Sequence, residues 1–462
     1  MFSAEVYQQR QRRIMNGCAQ GLLLFIGHVE APMNCLDNTY PFVQDASFRY
    51  LFGLNQAGLA GVINCQEQSV TLFGDDLAVD DIVWHGQLPT LAERAAQVGV
   101  TSTQPYQSLE SVLRDALLQG ISVQYLAPYR GDSVLELARL LGRTADAVKR
   151  GASIELARAM IALREIKAPE EIAEMESALE VTRGMHIAAM QNARPGVAEA
   201  EVVGIMEGMM RRHDLQLAYP SIFSRRGEVL HNHRHDQVLE QGDLVVNDTG
   251  VSAASGYASD ITRTIPVGGR FSSRQRVLYE TVLAMQLDAI AAIKPGVTYL
   301  EVHKLAARTM VEHLCGLGLF TGEPARIVDS GAYAIAFPHG LGHQIGLDVH
   351  DMENLGEDNV GYAEGETRSA LFGLGYLRMS KALQAGMVIT VEPGIYFIPA
   401  LIEDWQRQGK FSDMINYAKF MEYRDFGGIR IEDNVLVTEM GSRVLGTPIP
   451  KSVDEIEQLM AG

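Results

Sequence analysis

Leu244-Val-Val-Asn-Asp248-Thr-Gly-Val-Ser-Ala-Ala-Ser-Gly-Tyr-Ala-Ser-Asp260-Ile-Thr-Arg-Thr264 reads as an antiparallel ribbon with two carboxylates turned to one side. Leu244 to Asn247 is mostly apolar and β-branched, and Gly256 to Val267 places Asp260, Thr262 and Thr264 at a period of two, hence on one face. Asp248 and Asp260 are expected to face each other across this ribbon. Gly386 to Glu392 and Gly428 to Val437 form a second pair, with Glu392 and Glu432 facing each other. An aspartate after a strand is ordinarily a turn former or a helix cap. The apolar flanks Val245-Val246 and Met387-Val388-Ile389 change that reading, because a buried carboxylate without a partner is costly. Metal ions are the simplest partner that four carboxylates can share. With His343 from Gly340-Leu-Gly-His343, the set is oxygen-rich with one imidazole. It suits a hard, labile divalent ion such as Mn²⁺, with Zn²⁺, Co²⁺ or Mg²⁺ as alternatives. Two such ions side by side can share a water, lower its pKa and clamp both faces of an amide.

The 462 residues suffice for two or three domains, and a hydrophobic content of 47% is ordinary for a soluble globular protein. A formal net charge of −18 argues against nucleic acid or an anionic membrane as the main partner. The four cysteines, Cys18, Cys35, Cys65 and Cys315, are scattered, which argues against a disulfide framework or a zinc knuckle and fits a cytoplasmic protein. The N-terminus lacks a basic and then apolar leader pattern, and no apolar run is long enough to span a membrane.

Along the first 160 or so residues, strand-like runs at Gly21 to Ile26 and Leu59 to Asn64 precede helix-like stretches at Leu109 to Leu118 and Ser133 to Leu141. Leu109, Val112, Leu113, Ala116 and Leu117 fall on one helix face. This part is expected to be an α/β domain without clustered catalytic residues, and Trp84-His85-Gly86 within it reads as packing. A boundary falls near Ile166-Lys-Ala-Pro-Glu-Glu171, where proline and acidic residues suit a first helical turn. The helix should end at Arg194-Pro-Gly196. Arg194-Pro-Gly-Val is echoed by Lys294-Pro-Gly-Val, each between two helical segments, and this echo alone leaves duplication and chance both open.

Five segments in order then carry a family resemblance: Ser259-Asp-Ile-Thr-Arg-Thr264, Pro338-His-Gly-Leu-Gly-His343, Asp348-Val-His-Asp351, Val391-Glu-Pro-Gly394 and Gly428-Ile-Arg-Ile-Glu-Asp433. The chain resembles the pita-bread metallopeptidases of the aminopeptidase P and prolidase branch, and Tyr40-Pro-Phe-Val-Gln-Asp45 through Phe52-Gly53 resembles the N-terminal domain of aminopeptidase P. The resemblance implies an α+β fold. A catalytic pita-bread domain with duplicated halves would span 166–462, after an α/β domain at 1–165. It implies an exopeptidase that cuts the Xaa–Pro bond at a peptide N-terminus, acting on proline-containing peptides as a homodimer or homotetramer. Asp248 would hold one metal ion, Asp260 and Glu432 would bridge two, and His343 and Glu392 would complete the ligands of the second ion. A bridging hydroxide would be the nucleophile, with Glu392 handling its proton. His231, 17 residues before Asp248, would steady the tetrahedral intermediate, while His339 and His350 hold substrate and shuttle protons. Tyr396 and Arg430 match positions that orient the last acidic ligands and border the substrate. Prolidase, cutting the dipeptide itself, is the alternative; a metal-less binding protein and a creatinase-like hydrolase are disfavoured by the complete ligand set.

Several features depart from the family pattern or stand outside it. The step of 12 from Asp248 to Asp260 is one longer than the commonest spacing, and a bulge at Val251 to Ser255 is expected to absorb it. Arg225 and Arg226 interrupt a normally Gly-rich loop and either meet a substrate carboxylate or point to water. The long stretch Met352 to Lys381 is closer to prolidase, and its Arg378 matches an arginine that binds the dipeptide's carboxylate. His231, His233 and His235 alternate, but only His231 fits the pattern. His28, His85, His186, His213, His303 and His313 read as ordinary surface or core residues.

Overall fold

The two apolar runs near the N-terminus pair as strands: Leu22–Ile26 lies antiparallel to Ala60–Asn64, with Leu24 opposite Val62. They sit inside a five-stranded sheet ordered Ser102–Gln104, Ser69–Phe73, Ala60–Asn64, Leu22–Ile26, Val123–Tyr125. The helices Leu109–Leu118 and Gly131–Leu141 cover it, burying Leu109, Leu113, Leu137 and Leu140 against Leu24, Val62 and Phe73. The helical spacing read from the sequence is the face that packs here. The expectation that Trp84 packs is not met: on the short helix Val79–His85 it is 81% exposed, as are most of Val79 and Val83. The computed structural model describes residues 1–18 and 20–461, without the side chain of His85, so that part of the expectation lies outside the described residues.

The chain divides into two compact units, Met1–Arg164 with Met352–Gly356, and Glu165–Asp351 with Glu357–Gly462. In the second unit, helix Pro169–Asn192 is followed by Glu199–Arg212, and helix Ser273–Ala292 by Tyr299–Gly316. The turns between them are the echoed motifs, and both need glycine, since Gly196 and Gly296 each have φ +88°. The equivalence extends into the hydrogen bonds. Gly196 N donates to Leu239 O at 2.8 Å and Gly296 N to Leu383 O at 2.9 Å. Leu239 N returns to Val197 O, and Leu383 N to Val297 O. Matching bridges join Ala198 to Val238 and Thr298 to Ala382. A chance tetrapeptide match would not reproduce the partners some forty and ninety residues away; the unit is built from duplicated halves.

Each half contributes a three-stranded sheet. In the first, Leu244–Thr249 pairs antiparallel with Ile261–Pro266, and Asp248 lies opposite Thr262, so Asp260 is diagonal to it, not directly across. The even spacing still leaves both aspartates on one face. No bulge absorbs the extra residue. The register carries on through Ser259 N to Val251 O and the bridge from Ser252 to Ala258, and the tip Ala253–Tyr257 takes up the length. In the second half, the stretch expected as one strand splits into Gly428–Arg430 and Asp433–Val437. Its partner is split likewise into Val388–Val391 and Gly394–Tyr396. Pro393 has no N–H to donate, and Glu392 N turns away to Leu341 O and Glu432 N to Thr262 O. Val391 stays opposite Asp433 and Gly394 opposite Arg430, so Glu392 and Glu432 still face one another at the interruption.

Candidate metal centre

The two halves meet along a seam of cross-bonds, and the predicted ligands line it. Asp260 N donates to Asn434 Oδ1 at 3.1 Å, and Asn434 Nδ2 returns to Asp260 O at 2.6 Å. Thr264 Oγ1 accepts from Arg430 N and donates to Arg430 O. The fully buried Arg263, which the period-two reading turns away from the aspartates, donates to Glu432 O at 2.6 Å and Asp433 Oδ1 at 2.7 Å. Asp433 therefore serves the frame, and Glu432 alone enters the site.

Ligand atoms of Asp260, His343 and Glu432 lie within 4.8 Å of one another. His343 Nε2 is 3.5 Å from both Asp260 Oδ2 and Glu392 Oε1. Its Nδ1 lies 3.0 Å from Gln344 O, which can only accept, so Nδ1 carries a proton and Nε2 is the nitrogen turned to the carboxylates, where a cation would take the place of its proton. The ring is held by a strand-like exchange: His343 N donates to Thr390 Oγ1, and Thr390 N to His343 O. Asp248 Oδ2 receives Arg430 Nη2 at 2.5 Å. Its Oδ1 receives the Tyr219 hydroxyl at 2.7 Å, and the same hydroxyl contacts Asp260 Oδ1. All five candidate ligands thus converge.

Their electrostatics are those of a site waiting for positive charge. Burial, reinforced by Asp260, Glu392 and Asp248, raises the Glu432 carboxyl well above its ordinary range. Burial also raises Asp260, against the hydrogen bond from His343. Glu392 is lifted to about 7 by burial, with His343 opposing and Asp260 adding to the lift. Burial would depress His343, but Asp260 and Glu392 outweigh it and bring the imidazole to about 9. Glu432 Oε2 accepts from Thr262 Oγ1 at 2.7 Å, while its Oε1 is buried with no hydrogen-bond partner among the described residues. A buried carboxylate oxygen left open among three more carboxylates and an imidazole is what a hard divalent cation satisfies. The residues fit such a group.

A cavity of about 930 Å³ opens onto these ligands. His231, His339, His350, Arg378 and Arg430 line it with them. His350 stands edge-on to His343, ring centroids 4.5 Å apart. Burial, then the charges of His343 and Arg378, push His350 far down. Burial and Arg430 lower His231, and they bring His339 to about 3. Both ring nitrogens of His339 are engaged, Nδ1 with Gly340 O at 2.8 Å and Nε2 with the Tyr396 hydroxyl at 2.9 Å. Tyr396 itself is fully buried; its hydroxyl accepts from Arg430 Nη1 at 2.8 Å, so it braces the wall and does not line the cavity.

Sequence reasoning missed Tyr219, which sits in no motif yet joins both aspartates, and His233, which lines the cavity. Thr262 was legible only as a polar residue on a ligand face, and Thr390 only as part of a buried flank. Arg225 is spent on Glu240 at 2.8 Å and Asp243 at 2.9 Å, and Arg226 pairs with Glu228 in a largely exposed position; neither lines the cavity. His235 bonds Ser221 O, away from His231.

Comparison with known proteins bears on the family of the chain. Residues 173–439 match metallopeptidase family M24, and residues 7–123 match the aminopeptidase P N-terminal domain. The chain is 30% identical to a human Xaa-Pro dipeptidase over 96% of its own length and 89% of the relative's. It is 31% identical to a Xaa-Pro aminopeptidase of Haemophilus influenzae, over 99% of this chain and 97% of that one. The solved aminopeptidase PepP of Pseudomonas aeruginosa superposes with a TM-score of 0.83 at 28% identity, covering 100% of this chain and 98% of the other. The family match spans more than half of the residues and takes in every candidate ligand, and the chain therefore belongs to metallopeptidase family M24.

Proposed function

We propose that this chain is a metal-dependent exopeptidase that hydrolyses the Xaa–Pro bond at a peptide N-terminus. The observation that carries the reading is the convergence of four carboxylates and His343 on the wall of a large cavity, with one Glu432 oxygen left open. Asp248, Asp260, His343, Glu392 and Glu432 would hold two divalent ions, Mn²⁺ by our reading of the donor set. Such ions polarise a peptide carbonyl and make water a nucleophile near neutral pH.

The remaining work falls to the chain. Glu392, partly open to the cavity and with Oε2 4.0 Å from His339 Nδ1, accepts the proton of the attacking water and returns it to the proline nitrogen. His231, which lines the cavity, donates to the carbonyl oxygen as negative charge develops there. Arg430, fixed between Asp248 and Tyr396, keeps the first aspartate oriented. His339 and His350 border the proline ring.

Aminopeptidase action on longer peptides is the preferred reading, supported by the aminopeptidase P N-terminal domain. Dipeptidase action has its own support, because Arg378 lines the cavity where it can meet a free carboxylate. Assay of a Xaa-Pro dipeptide against a Xaa-Pro-Xaa tripeptide with Mn²⁺ tests both: cleavage of the dipeptide alone overturns the first, and cleavage of neither overturns the function. We further read the protein as a cytoplasmic homodimer or homotetramer. The free cysteines and the exposed Trp84, Val79, Val83 and Leu36 support this, and light scattering of the purified chain tests the assembly. No helix of the described residues is long and apolar enough to cross a membrane.

A further inference from the structure

Asp248 and Asp260 stand on the two strands of one hairpin, and a single helix grips both strands. His186, on Pro169–Asn192, is fully buried with Nε2 3.3 Å from Thr249 O and Nδ1 3.1 Å from Asn247 Nδ2. A carbonyl oxygen only accepts, so Nε2 carries the ring proton and a neutral Nδ1 receives the Asn247 amide. These two bonds seize the residues on either side of Asp248. One helical turn earlier, the Thr182 hydroxyl lies 2.8 Å from Ser259 Oγ, on the residue before Asp260.

The ribbon needs this second grip at that point. A Cβ on Gly250 would lie 1.9 Å from Ser259 O, so the strands approach there more closely than any side chain allows. Val251 N, instead of reaching across to a carbonyl, donates to Thr182 Oγ1 at 3.2 Å and Ser259 Oγ at 3.0 Å. The regular ladder ends at Thr249 opposite Ile261; beyond it Ser259 N and Ser259 Oγ each donate to Val251 O at 3.0 Å, and the two hydroxyls together receive Val251 N. Thr182 and His186 are both fully buried and neither lines the cavity, so neither touches substrate.

We propose that Thr182 and His186 are positioning residues, a two-point clamp through which the helix Pro169–Asn192 sets the separation of Asp248 and Asp260 and thereby the affinity of the metal centre. This rests on the reading of the two aspartates as metal ligands. Side chains that hold ligands in place commonly change metal affinity about 10- to 100-fold when removed.

The test is calorimetric titration of Mn²⁺ alone into metal-free full-length protein. Thr182→Val keeps the volume and loses the hydroxyl, Thr182→Ser keeps the hydroxyl, and His186→Leu removes both ring bonds. Thr281→Val is the control, a buried hydroxyl that bonds Val277 O and His313 in a different helix. Thr182→Val and His186→Leu are expected to weaken Mn²⁺ binding by about 10-fold or more. Thr182→Ser and Thr281→Val should bind as the wild type does, and the melting temperature of metal-free Thr182→Val should fall no further than that of Thr281→Val. Wild-type affinity in Thr182→Val, or an equal loss in Thr281→Val, overturns the clamp. The threonine series decides the matter even if His186→Leu does not fold. Failure of the wild type to bind Mn²⁺ overturns instead the assignment of the aspartates.

Discussion

Replacing Lys167 with methionine takes the cation away from a carboxylate held in the interior. Lys167 Nζ lies 3.0 Å from Asp351 Oδ2, and each side chain is only 1% exposed. The space around them is full: a Cβ on Gly346 would come within 2.4 Å of Asp351 Oδ2 and 3.1 Å of Lys167 Cε. Removing one member of a buried pair costs roughly 3–5 kcal/mol, because the other charge keeps its desolvation penalty and loses its compensation. Asp348 N still reaches Asp351 Oδ1 at 3.3 Å, which favours the lower end of that range. Against a typical folding stability of about 5–15 kcal/mol the loss is large. Lys167→Met/Asp351→Leu, which removes both charges and keeps the volume, should recover most of it.

Urea unfolding of wild type, single and double variants measures these terms. Loss of the cation raises the folded pKa of Asp351 in Lys167→Met relative to the wild type, so the penalty is full above that pKa and shrinks as pH falls through it. Function should follow, because Asp351 N is bonded to Gln344 O and so ties the loop bearing His350 to the segment bearing His343. A misplacement of about 1 Å there costs on the order of 10²-fold in kcat/KM. A single variant that loses less than about 1 kcal/mol, or a double variant no more stable than the single, refutes the reasoning.

Asp260→Asn and Glu432→Gln should each lower kcat/KM by about 10³-fold or more, with bound metal falling in elemental analysis; full turnover in either variant removes them from the ligand set. Arg378→Ala should raise KM for a Xaa-Pro dipeptide by about 10- to 100-fold with little change in kcat, and a much smaller effect when the carboxylate is amidated identifies the group it meets. His303, buried against Tyr333 at 2.7 Å, has its pKa pushed down by burial to about 3. Below about pH 6.5 the unfolded chain takes a proton that this ring refuses, so stability falls with pH by about 1.4 kcal/mol per unit, about 2 kcal/mol by pH 5, and levels off only near the folded pKa. His303→Gln should lose that share of the slope between pH 7 and pH 5 in urea titrations, and an unchanged slope counts against the burial argument.

What could be read from the chain divides along a physical line. The period of two survives without a structure: Asp260 and Thr262 share one face of their strand, and with Thr262 opposite Asp248 both aspartates turn to one side, although that register is fixed by the tip, which lengthens without a bulge. Helical faces survive too, as Leu109 and Leu113 against Phe73 illustrate. Breaks were harder. Gly428 to Val437 reads as one strand because its own residues suit one, and the interruption comes from Pro393 on the partner segment, which no local pattern displays. Contacts between distant elements were hardest. Tyr219 has no flanking motif, and its hydroxyl reaches Asp248 and Asp260 only because the two strands close together. His186 looked ordinary for the same reason, since its partners lie about sixty residues away.

The duplicated halves explain why the metal end was the more legible one. Asp248 and Asp260 come from the first half and His343, Glu392 and Glu432 from the second, so each ligand belongs to a strand or loop of a repeated scaffold. The seam then has to be rigid, and it is, with Asn434 exchanging two bonds with the backbone of Asp260 and Arg263 gripping Glu432 O. The substrate end has no such template. Arg378 follows a segment held by Arg368, which bonds Gly375 O at 3.2 Å and Leu377 O at 3.3 Å while pairing with Glu357 at 2.7 Å and Asp358 at 2.8 Å. That one guanidinium fastens a stretch of irregular backbone whose shape follows from tertiary bonds and not from periodicity. On the role proposed for Arg378, substrate length is decided where the chain carries the least local information, and the dipeptide and tripeptide assay probes that part of the molecule directly.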